Sequence, residues 1–177
     1  DKNSIQYPII KIKNPIMYRY ALKIEYVGTP FHGWQIQPGL ETVQGAINLA
    51  LRNLDPVSDG ITGAGRTDAG VHALGQIAHL DLKKSWDPSK LQHALNFYLK
   101  TKLISVVASA KVDSNFHARF SAKKRHYLYK IINRVPPLTL EKNRYWQVRN
   151  SLNLVQMKKG ASYLIGKHDF STFRSTL

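Results

Sequence analysis

Cysteine is absent from this chain, which excludes disulfides and thiolate metal sites and fits a reducing compartment. Acidic side chains are scarce, with 11 Asp and Glu against 26 Lys and Arg and a net charge of +15. No run of about 18 apolar residues occurs, so no transmembrane helix is expected. No basic segment leads into an apolar stretch as a secretory signal would, and a cytoplasmic location is expected. Low-complexity segments and internal repeats are also missing. What remains is 43% hydrophobic residues over 177 positions, enough for one substantial core or two small halves that share a sheet.

The positive charge is unevenly spread. Residues 115–177 hold 13 basic side chains against Glu141 and Asp169, a net of +11, and residues 1–114 carry +4. A field of that size and asymmetry attracts phosphate backbones and speeds encounter with them. Nucleic acid is therefore the expected partner. An anionic membrane fits less well, because no helical pattern sets a basic face against an apolar one.

Along the chain, residues 1–16 contain two prolines and no stable period. They are expected to be a disordered or non-native extension, with Met17 as the natural start. Leu22, Ile24 and Tyr26 alternate with Lys23 and Glu25, as in a half-buried strand. Thr42 is placed as the N-cap of a helix that carries Val43, Ile47, Leu51 and Leu54. A turn over Pro56 to Gly60 follows. Residues 74–82 predict a strand with Ala78, Leu80 and Leu82 on one face, and Asp87-Pro88 opens a helix with Leu91, Ala94, Leu95 and Tyr98 inward. Leu103 to Val112 predicts a buried strand, residues 125–132 another, and Asn153 caps a helix with Leu154, Met157, Ala161 and Leu164, closed by Gly166.

The predicted class is α+β: ferredoxin-like or RRM-like βαβ halves that share a mixed, mainly antiparallel sheet flanked by helices, the second half incomplete. Residues 17–114 are expected to form the first half, with the glycine-rich loop, and residues 115–177 to begin the second.

The most informative run is Gly65-Arg66-Thr67-Asp68-Ala69-Gly70-Val71-His72-Ala73. It sets the carboxylate of Asp68 in a glycine-punctuated turn, two residues from Arg66 and four before His72. Gly63, Gly65 and Gly70 would permit unusual backbone angles or close approach of a ligand. The ordinary role of an Asp there is to bond its own turn. The reactive role is that of a carboxylate kept ionised by Arg66 and able to act as nucleophile or general base. A phosphate loop is disfavoured, because no Gly-Lys-Ser/Thr follows.

A second cluster interleaves rings and cations: Phe116-His117-Ala118-Arg119-Phe120, then Lys123-Lys124-Arg125-His126-Tyr127-Leu128-Tyr129. Such a pattern suits unpaired or flipped bases, whose rings stack while cations hold phosphates. It equally suits a strand with its tyrosines in the core and its lysines in water. A third cluster, Phe31-His32-Gly33-Trp34-Gln35, follows the first strand, and Trp34 there is read as a packing residue. His32, His72 and His117 lack the spacing of a zinc site, and no metal is expected.

These motifs, with Tyr26-Val27-Gly28, Gln37, Thr42-Val43-Gln44, Gly75-Gln76 and Gly166-x-His168-Asp169-Phe170, resemble the TruA-type tRNA pseudouridine synthases over Met17 to Arg174. The resemblance implies an isomerase that converts uridine to pseudouridine in the tRNA anticodon stem-loop, at tRNA positions 38–40, with no cofactor. It makes Asp68 the catalytic aspartate, acting either by attack on the sugar or by removal of a sugar proton. It makes Tyr127 a ring stacked on the target base and Arg66 a support for the flipped RNA. His72, Arg119, Lys123, Lys124 and Arg125 are the further substrate-binding candidates. It also implies a homodimer. Family members continue beyond the His-Asp-Phe motif through several strands and a helix, which supply an arginine partner for the aspartate, so the chain is expected to be a truncated representative. Arg125-His126-Tyr127 stands where Arg-Arg-Tyr is more usual. The alternatives to the enzyme are a non-catalytic RNA-binding protein and an inactive remnant.

Overall fold

The computed structural model describes residues 16–173. The expectation for residues 1–16 lies outside them, apart from Ile16. The chain divides into a first unit that ends at Arg125 and a second that begins at His126.

The first unit runs β1 (Tyr18–Tyr26), α1 (Val43–Arg52), β2 (Ile61–Gly63), β3 (Ala73–Leu82), α2 (Pro88–Leu99) and β4 (Ile104–Lys111). The strands form one antiparallel sheet in the order β2-β3-β1-β4. In β1 the alternation holds: Tyr20, Leu22, Ile24 and Tyr26 are buried, and Lys23 and Glu25 stay in water. In β3, Ala78, Leu80 and Leu82 join that buried face, with Leu22 opposite Ala78 and Tyr20 opposite Leu80.

The two helices pack beside each other on this face and close the core. Thr42 caps α1 by accepting from the Gly45 amide. The buried residues of α1 are Val43, Ala46, Ile47, Ala50 and Leu51, one stripe at 3.6-residue spacing. Asp87 caps α2 by accepting from Lys90, and Pro88 takes the first turn, where its missing N–H is harmless. The inward stripe of α2 is Leu91, Leu95 and Leu99. Tyr98, expected inward, is instead exposed, because Leu99 completes the four-residue spacing and leaves the tyrosine hydroxyl in water. The strand expected over Leu103 to Val112 is an edge strand with only Ile104 and Val106 buried.

Two features of the first unit were not anticipated. β2 is a three-residue strand where only a turn into the glycine-rich run was expected. The other is a segment that returns across the second face of the sheet. Arg19 on β1 pairs with Asp81 on β3 at 2.6 Å and donates to the carbonyls of Ser114 and Phe116. His79, between them on β3, accepts the Ala118 amide at its Nδ1, 3.2 Å away. Its ring lies 4.6 Å from the His117 ring. These bonds fasten residues 114–118 to the sheet. These residues lie within the first unit, which ends at Arg125.

The second unit contains a parallel pair, β5 (Ile131–Asn133) and β6 (Trp146–Val148), then α3 (Leu154–Ser162) and a 3-10 turn over Ser171–Phe173. The strand expected over residues 125–132 is confined to its last two residues and Asn133. Tyr127 and Tyr129 are 69% and 88% exposed, so no ladder or core holds them. Asn153 caps α3 as expected. The helix ends at Ser162, however, and none of its residues is buried. Its apolar stripe has no packing partner among the described residues, so Leu154, Met157 and Leu164 are exposed. Gly166 follows in a left-handed conformation with φ 113°.

Candidate active site

The run from Ala64 to His72 is a loop between β2 and β3, held from several sides. At its start the Ala64 amide bonds the Ile77 carbonyl at 2.7 Å, and the Gln76 side chain donates to the Gly65 carbonyl at 2.8 Å. In its middle, the Trp34 amide donates to the Thr67 carbonyl at 2.9 Å. The hydroxyls of Thr67 and Tyr26 meet at 2.8 Å. At its end, the Gly70 amide donates to the Phe31 carbonyl, and His72 Nδ1 accepts the Gly28 amide at 3.1 Å. Burial raises the Tyr26 hydroxyl above its usual range, opposed by the Thr67 bond, so Tyr26 stays neutral at physiological pH.

Close packing of two glycines explains why residues 27–34 can grip this loop. A Cβ on Gly28 would sit 1.9 Å from the Val71 carbonyl oxygen. Gly33, at φ +88°, would bring one to 2.7 Å from the Thr67 oxygen. Behind the loop, the Trp34 ring is buried and lies against Gly63, where a Cβ would approach it to 2.7 Å. Trp34 is thus a packing residue, as expected. Of the three glycines that would permit unusual angles or close approach, Gly70 has a positive φ, at 78°. Gly63 is required by the tryptophan, and Gly65 lies under the Arg125 side chain.

Asp68 opens the turn that this scaffold presents. Its carbonyl accepts from Val71, and Gly70 occupies the third position, where a positive φ suits glycine. Its side chain is exposed. Asp55, Asp113 and Asp169 use their carboxylates to bond backbone amides two residues on. Among the described residues Asp68 makes no such bond. The ion pairs of the described residues are Arg19–Asp81 and Lys102–Glu41, so Arg66 is not paired with Asp68. Both side chains are exposed on the same loop.

The remaining candidates fall into two groups. Arg125 Nη2 donates to the Ala64 carbonyl at 2.7 Å and makes a long, 3.5 Å contact with the Arg119 carbonyl. One guanidinium thus joins the start of the Asp68 loop to the turn over residues 117–121. Arg119, Lys123 and Lys124 are exposed on and just after that turn. Tyr127 belongs to the second unit. Among the described residues no cluster of His, Asp and Glu could hold a metal ion, and no helix is long and apolar enough to cross a membrane. The sequence places Tyr26 on the buried face of the first strand and Gly28 at its end, and gives neither of them, nor Gly33, a part in holding this loop. The available signal was two motifs after β1 whose glycines no tight hairpin required.

Comparison with known proteins gives this loop a context. The profile of a family described as tRNA pseudouridine synthase matches residues 23–121, which include β1, the loop and the returning segment. A protein of Dinoroseobacter shibae named tRNA pseudouridine synthase A is 55% identical over 161 residues, covering 91% of this chain and 63% of that protein. Proteins of the same name from Roseobacter denitrificans and Paracoccus denitrificans are 52% and 51% identical. The chain spans about 63% of the length of the curated relatives it matches. With its profile match running through the Asp68 loop, the chain belongs to the tRNA pseudouridine synthase family.

Proposed function

We propose that this chain carries the catalytic loop of an isomerase that converts uridine to pseudouridine in the anticodon stem-loop of tRNA, with Asp68 as the catalytic residue. One observation carries the reading. Asp68 is exposed at the front of a loop fixed by Tyr26, Gly28, Phe31, Trp34, Gln76 and Arg125, and its carboxylate is not used to cap its own turn. A fixed, accessible carboxylate is what a reaction at a ribose requires. A protein that only binds RNA gains nothing from it, because RNA phosphates repel it.

In the proposed reaction the N1–C1′ bond of the uridine breaks, the uracil turns, and it rejoins the ribose through C5. The C5 proton is lost and N1 gains one, so the change is an isomerisation and consumes no co-reactant. The target base must leave the helix, at a cost of a few kcal/mol. Stacking on Tyr127 and phosphate contacts from Arg119, Lys123 and Lys124 would offset that cost, while Arg66 and His72 flank Asp68 and support the displaced strand. The βαββαβ order and the β2-β3-β1-β4 sheet support reading the first unit as a ferredoxin-like half. The exposed apolar side chains of α3 support a second half that needs further chain to complete it. A cytoplasmic homodimer is the expected setting. The test is to incubate the full-length protein with an unmodified anticodon stem-loop and look for pseudouridine. Binding without any product would favour a non-catalytic RNA-binding role.

A further inference from the structure

Phe120 is 79% exposed in a turn that is otherwise tightly determined. The Ser121 amide donates to the His117 carbonyl at 2.7 Å, and the Ser121 hydroxyl accepts from the His117 amide. His117 Nδ1 accepts the amides of Arg119 and Phe120, which fixes that ring. The Phe120 ring stacks on it, with centroids 4.3 Å apart and planes 29° from parallel. Beneath lies His79, 6% exposed, its ring 4.6 Å from His117. Three rings therefore rise in sequence from the sheet into water. The outermost has one face covered by His117 and the other open.

The surroundings carry one sign of charge. Arg119, Lys123 and Lys124, within four positions of this ring in the chain, are exposed, and no Asp or Glu occurs between Ser114 and Leu140. Proteins that hold single-stranded RNA combine an open aromatic face with cations that track the backbone. A ring already ordered by its neighbours loses little conformational freedom when a base stacks on it. Arg125 ties this turn to the start of the Asp68 loop through the Arg119 and Ala64 carbonyls, and both lie in the first unit.

We propose that Phe120 is a stacking platform for an unpaired base of the substrate RNA, separate from the uridine that reacts at Asp68. The inference rests on the reading of the chain as an RNA-modifying enzyme. Its test is the affinity of the full-length protein for a fluorescently labelled, unmodified anticodon stem-loop across a salt series, with melting temperatures in parallel. Phe120→Ala weakens binding about ten-fold and leaves the salt slope unchanged, because no cation is removed. Its melting temperature stays within a degree or so of wild type, because the ring buries little. Phe120→Trp restores the affinity. Unchanged affinity in Phe120→Ala overturns the proposal. So does a lowered melting temperature with intact affinity, which would mean that protein covers the ring. A wild type that binds the stem-loop but forms no pseudouridine overturns the catalytic reading alone, and the Phe120→Ala affinity still decides the platform. A wild type that does not bind the RNA overturns both.

Discussion

The Tyr26 hydroxyl, at the buried end of β1, lies 2.8 Å from the hydroxyl of Thr67, the residue immediately before Asp68. Strand β1 thus touches the Asp68 loop through a side-chain bond at the residue next to the proposed catalytic carboxylate. Tyr26→Phe keeps the ring and removes that bond. Loss of one such bond costs about 1 kcal/mol of stability, readable by urea unfolding. Misplacement of a reacting group by a fraction of an ångström is expected to lower kcat about ten-fold, with KM for the RNA little changed. An unaltered kcat would show that the other bonds hold the loop by themselves.

Gly28 tests the steric side of the same grip. Its Cβ would collide with the Val71 carbonyl at 1.9 Å, backbone against backbone, with no flexible side chain to move aside. Gly28→Ala is expected to destabilise the protein by about 2–3 kcal/mol, and its kcat should fall even at temperatures where it remains folded. Wild-type melting and turnover would mean that the loop yields easily.

The sequence marks Arg125 as a substrate contact, and in the fold its Nη2 donates to the Ala64 carbonyl. Arg125→Gln should therefore lower kcat while leaving the salt dependence of RNA binding as it is. A phosphate contact behaves differently. Its removal weakens binding and reduces the salt slope by about one, and that result would place Arg125 among the RNA contacts.

How much of this was legible in the sequence depended on range. Local signals served well: Thr42 and Asp87 cap their helices through side chains only three residues from the amides they bond, and the period-two pattern of β1 needs only its own residues. Long-range ties were invisible. Residues 116–125 read as an aromatic and basic surface, or the approach to a strand. What fixes Phe116 and Ala118 at their start is Arg19 and His79, 97 and 39 positions away. β2 is too short to show a period. Asp68 is conspicuous in the sequence because its glycines and neighbours are unusual together, whereas its supports, Tyr26 and Gly33, resemble ordinary strand and loop residues until the fold brings them to Thr67.

The returning segment should be sensitive to acid. Burial holds His79 below the ordinary value of 6.5, helped by the charges of Arg19 and His117 and opposed by Asp81. The unfolded chain therefore binds a proton first as pH falls. Stability from the neutral ring is full above about 6.5 and is lost progressively below it. Protonation at Nδ1 would also break the bond from Ala118. Asp81, kept below its ordinary 3.8 by the Arg19 bond despite burial, loses its contribution only at more acidic pH, so the two windows separate. Urea midpoints should fall between pH 7 and pH 5 in wild type. His79→Gln should be less stable at pH 7 but flatter across that range. An equal fall in both proteins would assign the acid sensitivity elsewhere.

The carboxylate at position 68 is the centre of the account, and replacing it by its isosteric amide in the full-length protein tests that directly. Asp68→Asn should bind an unmodified anticodon stem-loop within about two-fold of wild type, since it removes no cation, and should form no detectable pseudouridine. Product formed by Asp68→Asn at a rate near that of wild type would contradict the account.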